Sequence, residues 1–420
     1  MMTKPAVLEL FSPGSRLDAD GTLMVGECRI DDLAEEFGTP VMVVDEDAVR
    51  NRARDYLSAF RGRWPRADIA FASKAFPCTA VQRVMVDEGL LLDVAGGGEI
   101  YTALAAGVDP RRLLLHGNAK TDEELELAVS RGVGLIVVDN FDDIDRLERL
   151  VPKGTRQACL VRVIPGVQAT TYAAVATGHE GSKFGLSPVD ARAAITRIQR
   201  SRALRCEGVH THVGSQLLDI HQLASAVAPI AELGQFDTYD LGGGLGVRYT
   251  YSDDPPSVDQ YAESMLAQAR RLLPSGSRVI VEPGRSMVAA AGCTVYRVTT
   301  VKRGTVTHVA VDGGMGDNLE VSLYSQRFEA TIADRVGGGQ IVSLVGRHCE
   351  SGDRLIDRVA LQDPVVGDLL AVPVTGAYCY TMSNQYNGAR RIPVVFVANG
   401  QARLVVRRDT WADLLSRDVV

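Results

Sequence analysis

The chain has 420 residues, 46% of them hydrophobic and 23% charged, with a formal net charge of −7. That length suits a barrel-sized domain plus a second one. The acidic balance argues against the concentrated positive surface that a nucleic-acid partner requires, and no run of about 18 apolar residues exists to span a bilayer. Seven cysteines, odd in number and without a CxxC pair, suit reduced thiols rather than a disulfide framework, and no metal site is expected. Met1 to Pro5 lack the apolar core of a signal peptide, so a cytoplasmic protein without nucleic-acid or membrane partners is expected.

In chain order, Thr22-Leu-Met-Val and Pro40-Val-Met-Val-Val flank a helical stretch at 30–37. Eight short apolar or β-branched runs follow, at 69–75, 90–95, 112–117, 134–140, 158–165, 206–214, 238–242 and 278–283. Between them lie amphipathic segments with capping signals, such as Thr121-Asp-Glu-Glu-Leu and Ser187-Pro-Val-Asp. Alternating strand and helix implies a parallel sheet, and eight such units match a closed (β/α)8 barrel. Beyond Val295 the texture changes to short strands at 307–312, 341–346, 368–374, 393–398 and 402–407. The fold expected is therefore α/β, with a TIM-type barrel over 41–290 and a mainly β C-terminal domain over 291–420 that the N-terminal segment 1–40 joins.

Barrel chemistry gathers at the C-terminal strand ends. Lys74, in Phe71-Ala-Ser-Lys74-Ala, would point its amine into that mouth, where a desolvated lysine can form an imine with an aldehyde. A strand-end lysine by itself is more often a solvated surface group. Three later strand ends carry glycine: His210-Thr-His212-Val-Gly-Ser215, Asp240-Leu-Gly242-Gly243-Gly244 and Glu282-Pro-Gly284-Arg285. Their backbone N–H groups offer a small anion its donors, although each glycine run alone also marks a plain tight turn. An imine-forming lysine beside a phosphate cradle describes pyridoxal 5′-phosphate. Glu282 would serve its pyridine nitrogen unless it is salt-bridged to Arg285, and His212 would stack on the flat ring unless it is a structural hydrogen-bonding histidine. In the β domain, Cys349, flanked by charged and polar residues, fits an acid or proton donor better than an inert buried thiol.

These residues resemble a known family. Ala72-Ser-Lys74-Ala, Leu92-Asp-Val-Ala-Gly-Gly-Gly98-Glu99, His116-Gly-Asn118-Ala-Lys120, Ser182-Lys-Phe-Gly185, His210-Thr-His212, Glu282-Pro-Gly-Arg285, Cys349-Glu-Ser-Gly-Asp353 and Gly376-Ala-Tyr378 are similar, in order, to the diaminopimelate decarboxylases. Those belong to the fold type III pyridoxal-phosphate enzymes, with ornithine decarboxylase. The resemblance implies that Lys74 holds the cofactor, His212 stacks on it and Glu282 pairs with its pyridine nitrogen. Ser215, Gly243, Gly244, Gly284, Arg285 and Tyr378 would hold its phosphate region. It further implies a homodimer with shared active sites, the partner supplying Cys349 and Glu350. The reaction implied is loss of the α-carboxylate of meso-diaminopimelate as CO2 to give L-lysine, with Cys349 or Lys74 reprotonating the carbon.

One departure matters. Where the family carries an arginine that, with Arg285 and Tyr324, grips the distal carboxylate of the substrate, this chain has Glu320. Either Glu320 points to solvent or Arg327 takes over, or the pocket is retuned for a related basic or modified amino acid. Two further readings compete: a racemase, which would carry an arginine where Glu282 stands, and a non-catalytic regulator, against which the retention of Lys74, His212, Glu282, Cys349 and Tyr378 argues.

Overall fold

The computed structural model describes residues 6–166, 178 and 181–419. Met1 to Pro5, on which the signal-peptide expectation rests, lie outside the described residues. The chain divides into two compact units, one of Arg50–Gly246 and Pro255–Met287, the other of Met1–Val49, Val247–Asp254 and Val288–Val420. The sequence reading set its divisions after 40 and after 290; the units part after Val49 and after Met287, and Val247–Asp254 joins the β-rich unit.

The β-rich unit begins with a small antiparallel sheet of β1 (Arg16–Leu17), β2 (Leu23–Val25) and β3 (Cys28–Arg29). The helix Ile30–Phe37 follows as read from the sequence, and then β4 (Val41–Asp45), buried along its whole length.

The barrel unit contains β5 (Ala67–Ala72), β6 (Leu91–Val94), β7 (Leu113–Leu115), β8 (Leu135–Val138), β9 (Gln157–Val163), β10 (Leu204–Thr211), β11 (Thr238–Asp240) and β12 (Arg278–Val281). All eight expected runs form strands, every pairing is parallel, and β12 closes the ring onto β5. Ala70, Leu114, Leu135, Val137, Ala158, Leu160 and Ile280 pack as one apolar cluster. The two helices expected from caps are present. Thr121 forms a full capping box with Glu124 ahead of Asp122–Arg131, and the Ser187 side chain accepts the Asp190 N–H ahead of Pro188–Arg200. Register decides which side chains meet: His210 of β10 lies level with Asp240 of β11 on one side and Arg162 of β9 on the other.

The β-rich unit resumes with β13 (Gly292–Lys302), β14 (His308–Val311), β15 (Thr331–Ile332), β16 (Gln340–Val345), β17 (Arg354–Leu361), β18 (Leu369–Pro373), β19 (Val394–Ala398) and β20 (Gln401–Val406). With β4 they form a nine-stranded sheet with the central order β17-β16-β14-β13-β4-β19-β20, and β18 pairs both β13 and β15. β4 is antiparallel to β13 and parallel to β19, so residues early and late in the chain share one sheet. Val41, Val43, Val295, Ala371, Val395 and Val397 fill its core against Leu23, Ile30 and Leu33. Among the described residues no helix is long and apolar enough to cross a membrane.

Candidate active site

In the barrel unit every side chain singled out from the sequence lies just beyond the C-terminal end of a strand: Lys74 after β5, His212 and Ser215 after β10, Gly243 and Gly244 after β11, and Glu282, Gly284 and Arg285 after β12. Lys74 sits in the turn Ser73–Ala75, whose two end residues are buried while Lys74 itself is exposed. The Gln82 amide donates to Ser73 Oγ at 2.6 Å and pins that turn. Lys74 also acts electrostatically on the buried Asp93, Glu99 and His212.

Glu282 is 5% exposed and is met from both sides by imidazoles. His210 Nε2 lies 3.1 Å from Oε2, with hydrogen-bonding geometry. His116 Nε2 lies 2.7 Å from Oε1, but off the hydrogen-bond axis, and 3.6 Å from Asp93 Oδ1. Burial by itself would raise the Glu282 pKa, yet His116 and then His210 hold the carboxyl well below its ordinary range. Burial likewise opposes charge on His116, but Asp93 and Glu282 outweigh it and raise its pKa. His210 is pushed down to about 4, chiefly by burial. Its Nδ1 has no partner, as befits the bare nitrogen of a neutral ring that donates through Nε2. Burial, and then the charge of Glu282, raise Asp240 well above the usual carboxylate range, and Oδ1 of Asp240 accepts the Gly242 N–H at 3.0 Å. Asp93 is raised as well, first by burial. Of these three carboxyls, Glu282 alone is held below its ordinary range.

One donor atom each from His116, His210, Asp240 and Glu282 falls within a 4.8 Å span, a spacing that a metal ion also accepts. Of the contacts among these atoms, that between His210 Nε2 and Glu282 Oε2 has hydrogen-bond geometry. Sequence reasoning did not single out Asp93, His116, His210 or Asp240. The available signal was a charged or imidazole side chain inside an otherwise apolar strand end, which a barrel tolerates only where such groups meet one another.

The His212 ring is oriented by the Gly243 N–H, which donates to Nδ1 at 3.2 Å. Burial, then Lys74 and Arg162, keep its pKa well below the ordinary value, so the ring is neutral and flat-faced. The expectation that Gly242 and Gly243 turn their N–H groups to an anion is corrected here, since those donors go to Asp240 and His212. The glycine run has another cause. A Cβ on Gly243 would stand 2.0 Å from the Glu282 carbonyl oxygen, and one on Gly244 2.5 Å from that of Gly214. Gly284 is less tightly packed, its Cβ position 2.9 Å from that of Ala72. Arg285, 6% exposed, directs Nε to Ser215 Oγ at 3.4 Å.

The β-rich unit holds the remaining expected site residues. Cys349 and Glu350 are exposed on a loop that Asp353 ties down, its carboxylate accepting the Met315 and His348 N–H groups, both at 2.7 Å. The Cys349 N–H donates to Asn387 Oδ1 at 2.7 Å, and the Tyr386 hydroxyl to Glu350 at 3.4 Å. Tyr378 is half-buried with a positive φ of 64°. Glu320 and Tyr324 lie on the helix Leu319–Tyr324. Glu320 is 1% exposed and accepts the Tyr249 hydroxyl at 3.4 Å, which overturns the solvent-facing alternative; Arg327 is exposed.

Residues 46–289 match the family model described as pyridoxal-dependent decarboxylase, pyridoxal binding domain. A diaminopimelate decarboxylase of Actinosynnema pretiosum subsp. auranticum is 45% identical, over 100% of this chain and 98% of its own. The chain belongs to the diaminopimelate decarboxylase family. Another member, from Bacillus subtilis, is 41% identical over 96% of this chain and 97% of its own. The crystal structure of the diaminopimelate decarboxylase from M. jannaschi aligns with a TM-score of 0.91 at 28% identity, covering 97% of this chain and 98% of that one. A further structure of that decarboxylase is a co-complex with L-lysine. Membership makes the barrel a pyridoxal-binding domain and the protein a lyase, and the strand-end residues above fit such a group. They supply an amine at β5, a braced carboxylate at β12, a neutral imidazole at β10, and a Ser215–Arg285 pair beside glycines that leave no room for a Cβ.

Proposed function

We infer that the protein is a pyridoxal 5′-phosphate-dependent carboxy-lyase that releases CO2 from meso-diaminopimelate and yields L-lysine. The observation that carries this is the Glu282 carboxylate, kept ionised in a buried strand end by His116 and His210. An anion there favours a proton on the pyridine nitrogen, the arrangement a decarboxylase needs and a racemase of this fold avoids. When bound, the cofactor supplies the electron sink for the carbon that loses CO2. Lys74 would hold it through its amine, His212 would cover one face of the ring, and Ser215, Gly244, Gly284, Arg285 and Tyr378 would take its phosphate region. Arg285, Tyr324 and Tyr378 face the substrate in this reading, and Cys349 or Lys74 returns the proton to the reacting carbon.

The protein works in this reading as a cytoplasmic homodimer, with Cys349 and Glu350 serving the partner's site. Full-length likeness to diaminopimelate decarboxylases outweighs the departure at Glu320, which already has a partner in Tyr249. The test is release of labelled CO2 from carboxyl-labelled meso-diaminopimelate, beside lysine, ornithine, arginine and glutamate, by the cofactor-loaded native protein and by Lys74→Ala. Turnover of meso-diaminopimelate by the native protein, lost in Lys74→Ala, is expected. Inactivity on it, with turnover of another amino acid in the series, would refute the substrate.

A further inference from the structure

Five titratable side chains from five strand ends meet beneath the mouth of the barrel: Asp93 on β6, His116 after β7, His210 on β10, Asp240 on β11 and Glu282 after β12. All five are buried, from 0% exposed for His210 and Asp240 to 7% for His116. Lys74, Arg162 and His212 also act on this group electrostatically. So many charges out of water are costly unless each one has a defined state.

The two imidazoles meet Glu282 differently. His210 approaches with hydrogen-bond geometry and leaves Nδ1 bare, so it serves as a neutral donor. His116 approaches closer but off axis and is backed by the Asp93 carboxylate, so what it contributes is charge. The loop carrying His116 is itself held in place, because the buried Lys120 amine donates to the Gly117 carbonyl at 2.7 Å and to Asp143 at 2.6 Å.

Resting on the reading that Glu282 faces the cofactor's pyridine nitrogen, we propose that His116 and His210 are positioning residues with distinct duties. His116 is an imidazolium that keeps Glu282 ionised, tied back to Asp93, and His210 is a neutral N–H donor that fixes the plane of the carboxylate. Burial lowers both rings and the neighbouring carboxylates raise both, and the balance falls above the ordinary value for His116 and below it for His210, as this division requires. Neither ring touches the reacting atoms. Both act through Glu282.

The proposal demands an asymmetry between substitutions. At His116 the charge is needed, so the neutral donor in His116→Gln does not replace it. At His210 only the N–H is needed, so His210→Asn is tolerated and His210→Phe is not. The experiment binds pyridoxal phosphate labelled with 15N in the ring to each purified protein and reads the nitrogen resonance together with the cofactor dissociation constant. A protonated nitrogen is expected in the native protein and in His210→Asn. In His116→Gln the resonance is expected to move toward neutral pyridine and the dissociation constant to rise about ten-fold or more, the equivalent of one pKa unit at Glu282. A native resonance and affinity in a folded His116→Gln, or equal damage from His210→Asn and His210→Phe, would overturn the proposal. The resonance is read without turnover, so a failure of decarboxylation does not move it. A second measurement needs no substitution at either imidazole: in the cofactor-free protein, the NMR titration of His116 is expected to shift to lower pH in Asp93→Asn, and an unchanged titration would refute the tie to Asp93.

Discussion

Replacing Lys120 by methionine tests how far the buried network around the His116 loop stabilises the barrel. The Lys120 side chain is 2% exposed and that of Asp143 is 0% exposed, and the Nζ–Oδ2 distance is 2.6 Å. Removing one partner of a buried pair costs about 3–5 kcal/mol, because the other charge is left uncompensated. Here Arg146 remains on the second oxygen of Asp143 at 2.8 Å and the Asp139 N–H remains at 3.1 Å, which places the loss at the low end, about 3 kcal/mol. For a unit of this size that corresponds to a fall of about 6–12 °C in the melting temperature. The assay is thermal unfolding followed by circular dichroism for Lys120→Met, Asp143→Leu and the double variant. A coupling above about 1 kcal/mol is expected in the cycle, since the two groups share one contact. Strict additivity, or a fall of less than about 2 °C in Lys120→Met, would refute the reasoning that this pair is a compensated buried charge. Cofactor affinity is expected to fall in the same variant, because Gly117 loses its tether to Lys120.

Three other outcomes follow from the geometry. Burial pushes Asp317 up to about 7 from an ordinary 3.8, so folding holds its proton more tightly than the unfolded chain does. Its contribution to stability therefore falls as pH rises from about 4 to 7 and is flat above, by up to about 4 kcal/mol. Asp317→Asn keeps an acceptor for the Gly314 N–H, and the difference in urea midpoint between pH 5 and pH 8 is expected to shrink; an identical difference would exclude this carboxyl as its source. Gly243→Ala would push a methyl to 2.0 Å from the Glu282 carbonyl oxygen, and a displacement of that kind is expected to lower kcat about 100-fold, measured on protein whose cofactor absorbance has been quantified. If dimers share sites, mixing Lys74→Ala with Cys349→Ala restores about a quarter of native activity through heterodimers, each with one intact site of two. Mixing that recovers nothing would place both residues in the same subunit's site.

The barrel was legible because each of its eight strands is a short apolar run bounded by turn residues, and periodicity needs no knowledge of neighbours. The β-rich unit was less so. β17, Arg354-Leu-Ile-Asp-Arg-Val-Ala-Leu, carries charges out of step with a two-residue alternation and was not read as a strand. The eleven residues of β13, which pairs at different points with β4, β14 and β18, were passed over as a change of texture. The placement of Lys74, His212 and Glu282 beyond strand ends was legible from the apolar runs that precede them. The arrangement of His116, His210, Asp93 and Asp240 around Glu282 was not, because it depends on which strand lies level with which. The same holds for Gly243, whose glycine reflects the close passage of β12 rather than a donor for an anion. The burial of Glu320 also had no sequence signal, since its partner Tyr249 lies 71 positions away.

The place of β4 in the sheet has a consequence for synthesis. Its two neighbours, β13 and β19, are among the later parts of the chain to leave the ribosome. Roughly 250 residues separate β4 from the start of β13, so at about 5–20 residues per second the Val41-Met-Val-Val segment waits on the order of 12–50 s for its first partner. Throughout that time an apolar strand with both edges open is available to other nascent chains, while the parallel barrel, whose strands lie wholly within the intervening stretch, has time to close. Slowing translation would lengthen that exposure, and so the yield of folded protein from this chain depends on elongation rate as well as on the stability of the finished molecule.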